Sequence, residues 1–210
     1  MVHQTRTPLT ILRTHLEGIE DGVIDMGPDE IRICENQIDN ITAIINDMSG
    51  MIDAEKIEAT LNPEEFELGQ MIRQIINGLK AHFEKKRIEL RLTENVKILI
   101  NTDKYRLSQV IYNVLTNAYK FTEPTGSVSV QYQINTSDIV LTIEDNGAGI
   151  NKEDLGKIFD AYYKKDTTNN SAGEGIGLYI AKENMFMIHG DITAESEKNK
   201  GSKFIIRIPK

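Results

Sequence analysis

Apolar positions in the first third of the chain recur at alternating intervals of three and four. Leu9, Leu12, Leu16, Ile19 and Val23 form one such series. After an interruption from Gly22 to Pro28, a second series runs through Ile31, Cys34, Ile38, Ile41, Ile45, Met48 and Ile52. This alternation places one apolar stripe along each of two helices, in the manner of a coiled-coil seam. Pro28 followed by Asp29 and Glu30 suits a helix start, because the missing N–H costs nothing there and negative charge meets the positive end of the dipole. A lone hairpin with two such stripes leaves apolar surface in water. Pairing two hairpins into a four-helix bundle removes it, so the pattern predicts a homodimer. The alternative is a hairpin packed against the rest of its own chain.

Thr60-Leu61-Asn62-Pro63-Glu64-Glu65 reads as a linker, since proline disfavours helix at the residue before it. It divides the chain into an all-α hairpin over 1–60 and a second domain over 61–210. Beyond it the periods mix. Residues 68–84 read as a helix, with Met71, Ile72, Ile75, Ile76 and Leu79 on one side. Ile88 to Leu92 alternates as a short strand. Asp103 is placed to cap a helix reaching about Phe121. Ser127–Ile134 and Ile139–Glu144 read as a hairpin closed by Asn135-Thr136-Ser137-Asp138. Residues 151–173, polar and rich in Lys, Asp, Thr, Asn and Gly, read as a mobile loop. A helix near 174–188 and strands near 191–196 and 203–208 complete the pattern. The expected fold is an α+β sandwich, one sheet with helices on one face.

Composition narrows the function. Lys and Arg number 24 against 32 Asp and Glu, a net charge of -8. That balance argues against a nucleic-acid surface, which needs clustered basic charge. The single cysteine, Cys34, excludes an intrachain disulfide and suits a reducing compartment. No apolar run approaches the roughly 20 residues that span a bilayer. The expectation is a cytoplasmic portion, anchored in a membrane only through a region preceding this chain.

The candidate chemistry lies in three strings. Asn113, Asn117 and Lys120, spaced four and three apart, share one face of the helix begun at Asp103. The face is either an ordinary solvated surface or a metal–phosphate site, with amide oxygens completing the shell of a Mg²⁺ ion and the lysine adding a point charge. Asp145-Asn146-Gly147-Ala148-Gly149 follows a strand, and its glycines let backbone approach a flat ring. An ionised Asp145 only accepts hydrogen bonds, so it can read the exocyclic amine of adenine and reject guanine. Gly173-Glu174-Gly175-Ile176-Gly177-Leu178 leads into a helix, where free N–H groups favour an anion. Either glycine string alone is also compatible with an ordinary turn.

In this order the strings resemble the N, G1 and G2 boxes of the histidine kinases. Gly201-Ser202-Lys203-Phe204 resembles their last glycine box, and Ile158-Phe159 the box before the lid. The resemblance extends over essentially the whole chain. It implies the ATP-binding sandwich shared with gyrase, heat-shock chaperone and mismatch-repair ATPases. By that resemblance Asn117 is a Mg²⁺ ligand and Asp145 the adenine reader, and Asn113, on the same amide face, is a second candidate metal ligand. Residues 151–173 become the ATP lid, and a response regulator receiver domain the partner. The hydrolysing relatives typically carry glutamate where this chain has Asn113. An amide cannot take a proton from water near neutral pH, so direct ATP hydrolysis is expected to be slow.

His3-Gln4-Thr5-Arg6-Thr7-Pro8-Leu9 resembles the phospho-accepting box. His3 stands off the 9-12-16-19 seam, and neutral imidazole is abundant near pH 7. The chain departs from the common pattern at Gln4, where an acidic residue usually assists proton removal. Glutamine can fix the imidazole tautomer but cannot accept the proton. Thr7 matches the position that in many relatives orients water for response-regulator dephosphorylation, and it is equally placed to cap a helix whose first turn holds Pro8. These readings imply ATP-dependent autophosphorylation on His3, transfer to a regulator aspartate and a phosphatase activity. The alternative is a phosphatase-dominant protein or nucleotide-gated dimeric adaptor with weak kinase activity.

Overall fold

The computed structural model describes residues 2–34, 37–38, 61–93, 96–164 and 175–210, with residues 2–8 described as backbone only. Helix α1 spans Val2–Glu20. The chain then turns, and helix resumes at Pro28 over residues 28–34, here α2. His15 Nδ1 lies 2.6 Å from Glu30 Oε2, tying the two helices together. The second seam beyond Ile38, and residues 39–60 before the proposed linker, lie outside the described residues. Among the described residues no helix is long and apolar enough to cross a membrane.

Because α1 begins at Val2, Pro8 lies inside the helix and Thr7 is not its cap. Proline there cannot donate the N–H that the Gln4 carbonyl would ordinarily accept, so the ladder is interrupted one residue after His3.

The remainder is an α+β domain. Strand β1 (Pro63–Glu67) leads into α3 (Leu68–Lys85), followed by β2 (Glu89–Thr93) and β3 (Leu99–Asp103). Helix α4 (Lys104–Phe121) precedes the hairpin β4 (Ser127–Ile134) and β5 (Asp138–Asp145). Helix α5 (Gly177–Met187), β6 (Asp191–Glu197) and β7 (Gly201–Pro209) close the chain. The main sheet has the order β2-β4-β5-β7-β6, antiparallel except for the β2–β4 pair. Val128, Val130, Leu141, Ile143, Phe204 and Ile206 on its strands are buried with Ile72, Leu107, Ile111, Val114, Leu115 and Met185 of the helices in one core.

Part of the linker assignment needs correction. Residues 63–67 are a strand, paired antiparallel with β3 in the register Pro63↔Asp103 to Glu67↔Leu99. A two-stranded sheet leaves every strand at an edge, and Pro63 opens its strand, where a proline is tolerated. Phe66 is buried while Glu64 and Glu65 face water. The Glu67 carboxylate then caps α3, accepting from the N–H of Gly69 (2.9 Å) and of Gln70 (2.8 Å).

The loop expected over 151–173 is also structured in its first half. Residues 152–162 form successive hydrogen-bonded turns, among them Ile158 N–H to Asp154 O at 3.1 Å and Asp160 N–H to Lys157 O at 2.9 Å. Ile158 and Phe159 pack against the core, and the Tyr163 hydroxyl donates to Asp154 (2.8 Å). Polar composition concealed these turns because their anchors are only a few apolar side chains. Residues 165–173 lie outside the described residues.

Candidate nucleotide site

Helix α4 organises the site. Asp103 takes its N-cap, accepting from Arg106 N–H at 3.0 Å. Leu107, Val110, Ile111, Val114, Leu115 and Ala118 are buried. Helical periodicity therefore leaves Asn113, Asn117 and Lys120 on the opposite, half-exposed side. Asn113 Nδ2 donates to the carbonyl of Gly177, the first residue of α5, at 3.0 Å. A side chain at Gly177 would lie 3.8 Å from the Asn113 side chain. The amide oxygen of Asn113 remains as an acceptor, and the Asn117 amide has no hydrogen-bond partner among the described residues. At the other end of α4, Lys86 Nζ donates to the carbonyls of Tyr119 (3.0 Å) and Lys120 (3.3 Å), holding its final turn.

The first glycine string packs under that turn. Ala148 N–H donates to the Phe121 carbonyl at 3.0 Å. A Cβ at Gly147 would stand 2.3 Å from the same oxygen, so only glycine permits the approach. Gly149 has φ +63, and a Cβ there would lie 2.0 Å from the Glu197 carbonyl. Gly201, φ +99, opposes the Asp145 carbonyl at 1.9 Å from its notional Cβ. The last glycine box thus braces the first.

Asp145 ends β5 and is only 6% exposed. Its Oδ1 accepts from Gly147 N–H at 2.8 Å. Burial pushes the carboxyl above the ordinary aspartate range, against the pull of backbone N–H groups of Gly147 and Ser202, with nearby Glu144 adding to the rise.

The second glycine string enters α5. Gly175 has φ +76 and packs on the backbone of Tyr162 and Tyr163. Ile176, the N-cap residue of α5, makes no side-chain capping hydrogen bond, so among the described residues the first N–H groups of α5 have no side-chain acceptor. Gly177 and Leu178 lie in that first turn, and Gly173 is outside the described residues.

The fold therefore gathers Asn113, Asn117, Lys120, Asp145, Gly147, Gly149, Gly175, Gly177 and Leu178 around one helix. His3, Gln4 and Thr7 are placed only as backbone positions in the first part of α1. Sequence reasoning passed over Lys86 and also Asn184, which is buried in α5. Their partners lie more than thirty residues away, and no local pattern marks them.

The family model described as histidine kinase-, DNA gyrase B-, and HSP90-like ATPase matches residues 102–210, from the end of β3 through β7. The chain belongs to this family. Within it the similarity is to sensor kinases, along nearly all of the chain. The sensor histidine kinase WalK of Bacillus subtilis (strain 168) is 28% identical across 99% of this chain and 35% of its own length. The sensor protein SrrB of Staphylococcus aureus (strain NCTC 8325 / PS 47) is 30% identical across 99% of this chain and 36% of its own. The chain thus spans about a third of the length of the curated relatives it matches. Among solved structures, the Acinetobacter baumannii histidine kinase AdeS superposes with a TM-score of 0.71 at 25% identity, covering 99% of this chain and 97% of that one.

Proposed function

We propose that this chain is the cytoplasmic core of a membrane-anchored sensor histidine kinase that binds Mg²⁺–ATP and phosphorylates its own His3. The observation that carries the proposal is the convergence of the Asn113–Lys120 face, Asp145 and the uncapped start of α5 on one helix. Adenine sits at Asp145, whose ionised carboxylate accepts from the exocyclic amine. The glycines let backbone close on the ring. The triphosphate runs toward the first turn of α5, where N–H groups and the dipole favour negative charge. Lys120 contributes a further cation.

The donor set fits a magnesium ion that travels with the nucleotide. Among the described residues no cluster of His, Cys, Asp and Glu could hold a metal by itself. Asn113 and Asn117 instead offer neutral amide oxygens, which suit an ion retaining waters and phosphate oxygens. When bound, the ion neutralises phosphate charge. The protein's part is positioning and electrostatics, as in phosphoryl transfer generally.

In the transfer, a nitrogen of His3 forms a bond to the γ-phosphorus as the bond to the β,γ-bridging oxygen breaks, and ADP leaves. The imidazole proton must go to solvent or a phosphate oxygen, because Gln4 cannot accept it. Loss of a general base typically costs about 10²–10⁴-fold in rate, so autophosphorylation is slow for the family. The phosphoryl group then passes to an aspartate of a response regulator, and Thr7 serves the reverse, dephosphorylating reaction. Two chains pair through the seams of α1 and α2 into a four-helix bundle. Residues 1–60 are the dimerisation and phosphotransfer unit and 61–210 the catalytic one.

The test is incubation with γ-labelled ATP and Mg²⁺, comparing wild type with His3→Ala. Acid-labile, base-stable label that disappears in the variant is expected. Absence of label on wild type that still binds ATP would favour the second reading, a phosphatase-dominant or adaptor protein, which Gln4 motivates. Steady phosphate release without phosphoprotein would favour a hydrolytic ATPase, which an amide at Asn113 disfavours.

A further inference from the structure

A buried polar chain joins the start of the catalytic domain to α5. Asp103 and Arg106 are each 7% exposed and Asn184 is 4% exposed. Asp103 Oδ2 accepts the backbone N–H of Asn62 at 3.1 Å, at the entrance to β1. The same carboxylate oxygen lies 3.7 Å from Arg106 Nε. Arg106 Nη1 donates to Asn184 Oδ1 at 2.9 Å, across 78 residues of sequence. Asn184 Nδ2 in turn donates to Gln109 Oε1 at 2.7 Å, so both ends of its amide are bound to α4.

Buried polar groups are costly unless paired, and a chain in which every member is paired holds its elements in one arrangement. Apolar contact between α4 and α5 would tolerate sliding of one helix along the other, since dispersion is not directional. A guanidinium and an amide with fixed geometry do not. The register they set matters two turns away, where Gly177 receives the Asn113 amide and the first N–H groups of α5 are left uncapped.

We infer that Arg106 and Asn184 are positioning residues that hold the phosphate end of the nucleotide site in register with α4 and link it, through Asp103, to the segment entering at Asn62. This rests on the nucleotide-site reading above. Neither side chain touches nucleotide. They act through α5, leaving the adenine end at Asp145 to β5 and the glycine loops.

The test is calorimetric titration of Mg²⁺–ATP into the whole chain, with thermal melting alongside. Asn184→Leu keeps the branched shape and the number of heavy atoms, and removes both hydrogen bonds. Its expected effect is about a tenfold weaker ATP affinity, larger than the loss for adenosine, which reports on the ring end alone. Asn184→Asp still accepts from Arg106 and should recover most of the ATP affinity. Arg106→Gln should weaken ATP, and adding Asn184→Leu to it should cost little more, since the two form one unit. Wild-type affinity in Asn184→Leu, or equal losses for ATP and adenosine that Asn184→Asp does not recover, would overturn the positioning role while leaving the nucleotide site intact. Wild type that binds neither ligand would instead sink the site reading and this inference with it. If Asn184→Leu shows no cooperative melt, Arg106→Lys carries the comparison, with the same ATP-selective loss expected and wild-type affinity overturning it.

Discussion

The side-chain amide of Asn113 donates to the carbonyl of Gly177 at 3.0 Å, fastening the middle of α4 to the first residue of α5. One hydrogen bond therefore joins two strings that stand sixty-four residues apart. Replacing Asn113 with alanine should lower stability by about 1 kcal/mol, the net worth of an ordinary hydrogen bond. It should weaken Mg²⁺–ATP far more than Mg²⁺-free nucleotide, because the amide oxygen is lost as well. Urea denaturation and titration with and without magnesium check the two effects separately.

The raised pKa of Asp145 makes a signed prediction. Adenine recognition needs the ionised carboxylate, so nucleotide affinity should fall on acidification. Its midpoint should lie above the ordinary aspartate range, because burial disfavours the charge. Stability moves the other way. The native state holds this proton more tightly than the unfolded chain, so the group's contribution to stability falls as pH rises from the unfolded to the folded pKa. Asp145→Asn should abolish both dependences, as read by binding and melting from the ordinary aspartate range upward.

Two glycine-to-alanine changes should have opposite signs. Gly201 sits at φ +99 with its notional Cβ 1.9 Å from the Asp145 carbonyl, so Gly201→Ala should cost at least about 2 kcal/mol. Gly78 lies within α3 with nothing within 4 Å of its notional Cβ. There, alanine should stabilise by about 0.5–1 kcal/mol. Paired urea melts would show whether backbone approach, rather than glycine content, governs the site.

In one copy of the chain Leu9 (50%), Leu16 (51%), Ile31 (45%) and Ile38 (53%) are largely exposed. A second hairpin would cover them. Leu16→Glu should therefore turn a dimeric wild type into a monomer by light scattering, with ATP binding within about twofold of normal. A wild type that is already monomeric would remove the bundle from the proposal.

Much of the catalytic domain was legible because its signals are local. The cap at Asp103, the extent of α4 and the hairpin turn after Ile134 are each signalled within a few residues, and the structure places all three where the pattern does. The strands Pro63–Glu67 and Leu99–Asp103 were not legible. Each has five residues, and their pairing across some forty positions is what makes either one a strand. Likewise the turns over 152–162 depend on where Ile158 and Phe159 find the core.

For the site, the sequence by itself determined which residue types are available: two amides and a lysine on one helical face, a carboxylate before two glycines, and a second glycine string opening a helix. Side-chain spacing along an element follows from backbone geometry alone, so this much needs no fold. Only the tertiary structure decided that Gly201 supports the Asp145 turn, that Asn113 holds Gly177, and that Arg106 finds Asn184. Those are contacts between distant segments. They are set by the packing of α4 and α5 on a shared core, which no window along the chain contains.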